Sequence, residues 1–242
     1  FDLTEVRLFS GARVHRWEDK ANFAPMFEYT TLGTPEVPST SSIPSTGVID
    51  VTSNMNADGV LTWAAPPGQW TIMRMGYSLT GAKNSPAIPA ATGFEVDKLS
   101  SKHLTTYYNA YTEPLKKALG PLYGKSLQYW LVDSYEADAQ NWTEDFASEF
   151  KTRRGYDLTP YLPALAGRIV TSAAITDRFL WDFRLTIADL LAEKHYGTLT
   201  ALAHKEGIRT YSEAAGISLP VIQDALRNKG LVDIPMGEFG MG

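Results

Sequence analysis

The 242-residue chain contains no cysteine, which excludes disulfide bonds. This absence does not indicate a reducing compartment, because many exported bacterial enzymes also lack disulfides. The chain has no long basic run and a formal net charge of −5. That argues against nucleic acid as a partner, because such binding depends on Lys and Arg neutralising phosphates. No stretch approaches the roughly 20 consecutive apolar residues of a membrane helix, so we expect no membrane partner.

Several kinds of catalytic site also lack their usual sequence patterns. The four His residues form no HExxH or clustered arrangement, so a zinc site is not expected. Ser134 and Ser212 precede carboxylates, but neither lies in a GxSxG nucleophile elbow, which argues against a serine hydrolase. Carboxylates together with the side-chain carbonyls of Asn84 or Asn141 could hold calcium, although no EF-hand spacing is present.

Apolar and aromatic residues are plentiful. Hydrophobic residues make up 44% of the chain, enough to bury a core, and there are 12 Tyr, 10 Phe and 6 Trp. Most aromatic side chains fill cores, but a surplus also fits a carbohydrate cleft, where ring faces stack on sugar C–H surfaces. The chain begins at Phe1 and shows no signal peptide. We expect it to be a fragment of a longer protein.

The pattern changes along the chain. Residues 1–75 carry β-branched and aromatic residues between Gly, Pro and Asn turns, and Asp58-Gly59 is a hairpin signal. We predict a β-rich, sandwich-like segment there. WTIMRMGYS fits either the last strand of that segment or the first strand of the second unit.

Strands and helices are predicted to alternate through this second unit, residues 76–242. We predict a helix capped at Ser100 or Ser101 and ended by Gly120, a second one capped by Thr143 and ended by Gly155, and a long one over 175–206. The apolar runs LQYWLV, IRTYS and LVDIPM read as buried parallel strands, with a short helix in LPVIQDALRNK.

Such alternation predicts a parallel sheet, either an open doubly wound sheet or a (β/α)8 barrel. No Gly-rich phosphate loop follows any strand. Acidic residues follow the strands instead, which is where barrel enzymes place their chemistry. We therefore predict the α/β class, with a partial (β/α)8 barrel of the TIM type preceded by the β-rich segment.

Four carboxylates follow the predicted strands: Asp133 and Glu136 in VDSYEA, Glu213 in TYSEAAG and Glu238 in PMGEFG. Glycoside hydrolysis commonly needs two carboxyl groups, one that protonates the leaving oxygen and one that activates water or attacks carbon. We predict catalytic roles for Glu136, Glu238 and Glu213. Substrate-binding roles are predicted for Asp133, Asn84, Asn141 and Trp142. Each acid also has a structural alternative, such as capping a turn for Asp133 or pairing with Arg209 for Glu213.

Five stretches resemble glycoside hydrolase family 106, the α-L-rhamnosidases. In order they are PGQWTIMRMGYSLTG, GFEVDKLS, the run from LQYWLVDSYEADAQNWT to RRGYDLTPYLPALAGRIV, the run from RFLWDFRL to RTYSEAAG, and VDIPMGEFG. The resemblance is dense from about residue 60 onward and loose before it.

The resemblance implies a (β/α)8 catalytic barrel within a longer protein that carries β-sandwich domains. It also implies release of terminal α-L-rhamnose with inversion, Ca²⁺ that helps to bind sugar hydroxyls, and a periplasmic or secreted location. Glu136 matches the general acid, Glu238 matches another active-site carboxylate, and the general base is expected beyond residue 242. The partners implied are a rhamnose-containing oligosaccharide or glycoside and the remaining domains of the longer chain.

Two alternatives stay open. The stretches WDFR and AHKEGIRTYSE are broadly similar to those of a retaining, β-galactosidase-like barrel. The separation of the two working carboxyl groups distinguishes a retaining from an inverting enzyme. The chain could also be a non-catalytic carbohydrate-binding fragment.

Overall fold

A computed structural model describes residue 9 and residues 11–24, 33–216 and 222–237. Within them, one parallel sheet contains strands β1 (Tyr129–Val132), β2 (Arg209–Ser212) and β3 (Ile234–Pro235), in the order β1-β2-β3. The register aligns the last residues, Val132 with Ser212 and Ser212 with Pro235. The three strands therefore end at one level. We call the residues that directly follow these ends the strand-end edge.

Six α-helices and one π-helix accompany the sheet in the described residues. They are α1 (Trp17–Lys20), α2 (Ser101–Leu119), α3 (Phe146–Arg154), α4 (Ala173–Leu190), the π-helix (Leu191–Gly197), α5 (Thr198–Lys205) and α6 (Ala225–Lys229). Short 3-10 turns cover Ser39–Ser41, Ser45–Gly47, Thr52–Asn54, Pro89–Ala91, Gly120–Leu122 and Thr159–Ala166. No helix in these ranges is long and apolar enough to cross a bilayer.

Helix α2 follows its predicted boundaries. Ser100 is its N-cap and accepts a hydrogen bond from the His103 amide, and Gly120 ends it with φ of 50°. Leu104 and Tyr108 are buried as predicted, whereas Tyr111 is 57% exposed. Pro114 lies inside the helix without ending it.

Helix α3 begins later than the sequence predicted. Thr143 does not cap it with its side chain, because that hydroxyl donates to Asp97 Oδ2 at 2.7 Å. The helix starts at Phe146, after Asp145. Its end is as predicted, with Gly155 in the left-handed region at φ of 80°.

The predicted long helix is continuous from Ala173 to Lys205 but changes to π geometry over seven residues. The wider turn rotates the buried face of the helix. Thr200 and Ala203 are buried after it, where the regular period had predicted Leu199 and Leu202. His195 and Tyr196, within the π-helix, are buried as well.

The main core lies between α3, α4 and the 3-10 turn Thr159–Ala166. Its fully buried rings belong to phenylalanines that lie close to one another: Phe150 and Phe179 are 5.7 Å apart between ring centroids, and Phe146 and Phe183 are 5.0 Å apart. A second, smaller cluster joins Tyr196 of the π-helix to Ala214 and Val232 beside the sheet. This second cluster lies beside the ends of β1 and β2, because Val132 packs against it and Ala214 belongs to it.

The predicted fold class is wrong. The described residues form a three-stranded sheet surrounded mostly by helices, with neither a barrel nor a β-sandwich. Residues 33–75 contain 3-10 turns and isolated bridges, including Met55 with Leu61 around the predicted Asp58-Gly59 turn. The reason is that strand formation depends on neighbouring strands more than on intrinsic preference. The β-branched and aromatic runs of this segment find no such neighbours in the described ranges.

Candidate active site at the strand-end edge

The turn after β1 presents two carboxylates to solvent. Asp133 and Glu136 are both exposed. Ser134 connects them, because its amide donates to Asp133 Oδ1 at 3.0 Å and its hydroxyl donates to Glu136 Oε1 at 2.6 Å. Ser134 thus links the two acids within the turn.

Tyr135 is buried and anchors this turn through two hydrogen bonds. It is 7% exposed, its amide donates to the Ala215 carbonyl at 2.8 Å, and its hydroxyl donates to the Asp138 carbonyl at 3.0 Å. Burial, with smaller contributions from Glu95 and Asp138, raises the pKa of the Tyr135 phenol well above its usual value. The phenol is therefore neutral at working pH and acts as a hydrogen-bond donor.

A buried ion pair that the sequence did not reveal supports Tyr135. Lys98 is 8% exposed, and its ammonium lies 2.5 Å from Glu95 Oε2 and 5.7 Å from the centre of the Tyr135 ring. A buried ammonium needs such partners, because removing a charge from water is costly. The available signal was the i,i+3 spacing of Glu95 and Lys98 directly before the N-cap of α2.

Polar contacts then fix the loop that follows Glu136. Asp97 Oδ1 accepts from Gln140 Nε2 at 2.5 Å, and Asn22 Nδ2 donates to the Gln140 carbonyl at 3.0 Å. Asn141 Nδ2 donates to the Ala21 carbonyl at 2.9 Å. Asn141 therefore ties the loop to the segment after α1 in this structure. Its predicted role in substrate binding stays a prediction.

Trp142 lies at the margin of the main core. It is half-buried, stacks on Phe146 with 4.9 Å between ring centroids, and faces Tyr77 at 6.5 Å. Two protein rings therefore already contact the Trp142 ring. Its predicted contact with substrate also stays a prediction.

Glu213 follows β2 at the same level as Asp133 follows β1. It is only 8% exposed. The next residue, Ala214, has φ of 49°, a left-handed conformation that costs a residue with a side chain about 1–2 kcal/mol. The Ser212 hydroxyl accepts the Ala214 amide at 2.9 Å and stabilises this turn. Strained backbone of this kind persists where the surrounding structure enforces it, often at active sites.

The remaining predicted residues lie elsewhere. Asn84 Nδ2 donates to the Ala91 carbonyl at 3.0 Å and its Oδ1 accepts the Gly93 amide at 2.7 Å. Both ends of this amide are therefore used within its own loop. Glu238 lies outside the described residues, although β3 and Met236 lead toward it, and the Met236 amide donates to the Ser212 carbonyl at 2.8 Å.

Among the described residues, no three His, Asp or Glu side chains are grouped so that they could hold a metal ion. The acids at the strand-end edge do not by themselves provide the ligand set that the predicted calcium needs.

A cavity of about 680 Å³ lies between residues 43–75 and the 3-10 turn that ends at Ala166. Trp63 and Trp70 contribute to its wall and meet edge to face at 5.3 Å. None of the predicted site residues lines it. The cavity is therefore separate from the carboxylates of the strand-end edge.

The chain is similar in sequence and structure to known proteins. A solved structure titled as a rhamnosidase from Novosphingobium sp. PP1Y superposes with a TM-score of 0.85 at 39% identity, over 95% of this chain and 22% of that one. A curated protein from Formosa agariphila, provisionally named a β-glucuronidase, is 44% identical over 173 residues, which are 72% of this chain and 15% of that protein. The chain thus spans less than a quarter of either relative. The family profile described as α-L-rhamnosidase matches residues 2–241, and the chain belongs to glycoside hydrolase family 106.

Proposed function

We propose that the complete protein releases terminal α-L-rhamnose from glycosides or glycans with inversion of configuration, and that this chain supplies part of the catalytic centre. The observation that carries the proposal is the strand register. It puts the Asp133–Glu136 turn and Glu213 at one edge of a parallel sheet, where α/β enzymes bind their substrates. Family membership and the rhamnosidase title of the solved relative support the substrate.

Glu136 is proposed as the general acid. Its carboxyl group is exposed and held by the Ser134 hydroxyl, so it can reach a glycosidic oxygen and donate a proton as the bond to the sugar breaks. A second carboxylate must remove a proton from water on the opposite face of the ring, about 6.5–9.5 Å away. Glu213 and Glu238 are proposed as further catalytic carboxylates that act beside Glu136. The base itself is proposed to lie beyond residue 242.

Three further expectations stay proposals. Asp133, next to Glu136, is proposed to bind a sugar hydroxyl. Calcium is proposed to help bind substrate, with ligands from outside the described residues completing its site. A periplasmic or secreted location fits action on extracellular glycans. The calcium proposal is tested by removing the ion with a chelator and then adding it back. Removal should raise KM, and return of calcium should reverse the rise.

The acid role is tested in the full-length protein with Glu136→Gln and two α-L-rhamnosides. We expect kcat/KM to fall about 10²–10⁴-fold for a glycoside with a poor alkyl leaving group. The loss should be much smaller for a dinitrophenyl rhamnoside, whose leaving group needs no protonation. Glu144→Gln, an exposed acid paired with Lys102, is the matched control and should stay within about twofold. Equal losses on both substrates would remove Glu136 from the acid role.

The name of the Formosa relative suggests a second substrate class. If the full-length protein cleaves an aryl β-D-glucuronide and not an aryl α-L-rhamnoside, the rhamnosidase assignment is wrong and the glucuronidase assignment replaces it. Binding of either sugar without turnover would favour the non-catalytic alternative.

A further inference from the structure

The π-helix Leu191–Gly197 brings the ring of Tyr196 to the turn that carries a candidate acid, Glu213. π-geometry is rare and unfavourable over several residues, and it recurs at functional sites. Here it buries Tyr196 to 1% exposure against Ala214 and Val232. Ala214 is the strained residue directly after Glu213. The ring therefore contacts the turn that presents this carboxylate.

Electrostatics agree with this proximity. Burial raises the pKa of the Tyr196 phenol most, with smaller contributions from Tyr135 and Glu213. Val132, the last residue of β1, packs against the same cluster.

The residue before Tyr196, His195, has a buried polar atom that destabilises the fold. His195 is 7% exposed, and its Nδ1 is buried without a hydrogen-bond partner. An unsatisfied buried polar atom is destabilising by about 1–3 kcal/mol. His195 also packs edge to face against the Tyr196 ring, with 4.8 Å between the ring centroids.

We propose that Tyr196 is a positioning residue for Glu213: its ring, delivered by the π-helix, holds Ala214 in the left-handed conformation and so fixes the direction of the Glu213 carboxylate. This role rests on the proposed function, because it assumes that Glu213 belongs to the catalytic centre. Tyr196 itself touches no reacting atom. Its effect should appear in kcat and not in KM.

The test compares Tyr196→Leu with Phe179→Leu in the full-length protein. Both residues are buried rings, but Phe179 lies in the main core. We expect both variants to lower Tm. Only Tyr196→Leu should lower kcat, by about 100-fold with KM within about threefold, as a displaced catalytic group does. Tyr196→Phe, which keeps the ring, should restore kcat.

A second variant covers the case in which Tyr196→Leu does not fold. Ala214→Gly frees the turn from its conformational restraint and should also lower kcat at unchanged KM. Wild-type kcat in Tyr196→Leu or Ala214→Gly, or equal kcat losses in Tyr196→Leu and Phe179→Leu, would overturn the positioning role. Full activity of Glu213→Gln would overturn it as well.

The two proposals can fail separately. If the protein cleaves a glycoside other than an α-L-rhamnoside, the substrate assignment fails, while the same kcat ratios measured on that glycoside still test Tyr196.

Discussion

At the scale of single residues, the strand-end acids differ in their surroundings. Glu136 and Asp133 are exposed and share Ser134, whereas Glu213 is buried beside a strained turn. The sequence placed all three acids correctly at strand ends, because short apolar runs mark strands and their ends follow directly. It did not reveal the Lys98–Glu95 pair or Tyr196. Both depend on which residues the tertiary fold brings close to the turns of the strand-end edge.

His195 gives a pH-dependent prediction. Burial, and secondarily the nearby Lys98, lowers the pKa of His195 from 6.5 to about 3. The unfolded chain therefore binds one more proton between these values, so stability should be complete above pH 6.5 and fall as the pH decreases toward 3. We expect Tm of the full-length protein to decrease across this window, and to decrease less in His195→Gln.

The control for this effect is His15→Gln, which changes an exposed histidine and should leave the pH dependence as in the wild type. A His195→Gln variant whose Tm falls with pH as steeply as the wild type would show that His195 is not the group responsible.

At the scale of elements, prediction succeeded where local signals act and failed where packing decides. The caps of α2 and the glycine after α3 fixed those helix ends, as Ser100 and Gly155 show. The start of α3 was misplaced because Thr143 bonds Asp97 from a distant part of the chain. The π-helix was not predicted, because the helical pattern of the sequence continues through it.

An ionic network joins α3, the end of α4, the π-helix and α6. Asp189 binds both Arg154 and Arg227, and Glu193 binds Arg153 and Arg227. The Asp189 side chain is 14% exposed. Because α6 leads into β3, this network also fixes the third strand of the sheet.

We expect Asp189→Asn to destabilise the full-length protein by about 2 kcal/mol, because two guanidinium groups lose their shared carboxylate. Urea unfolding gives the free energy directly. The control is Glu113→Gln, which removes an exposed partner of Lys116 and should cost less than about 1 kcal/mol. Equal effects of the two variants would mean that the network adds no more than an ordinary surface pair.

At the scale of the whole molecule, the partial barrel is the prediction that failed. Alternation of strands and helices was read correctly, but the three strands of the described residues do not close a sheet, and the WTIMRMGYS run forms no strand. Apolar side chains of that run stay exposed, such as Ile72 at 65% and Tyr77 at 68%. Closure depends on the number and arrangement of strands across a whole domain. A sequence pattern within a single stretch does not provide that information.

The proposed function assigns the acids at the strand-end edge to inverting hydrolysis of α-L-rhamnosides. The most direct measurement is ¹H NMR of the first rhamnose released by the full-length protein from an aryl α-L-rhamnoside, recorded before mutarotation. We predict that β-L-rhamnose appears first and that Glu136→Gln slows its release from a glycoside with a poor leaving group by about 10²–10⁴-fold. First appearance of α-L-rhamnose, or no release of rhamnose by the wild-type protein, would contradict this assignment.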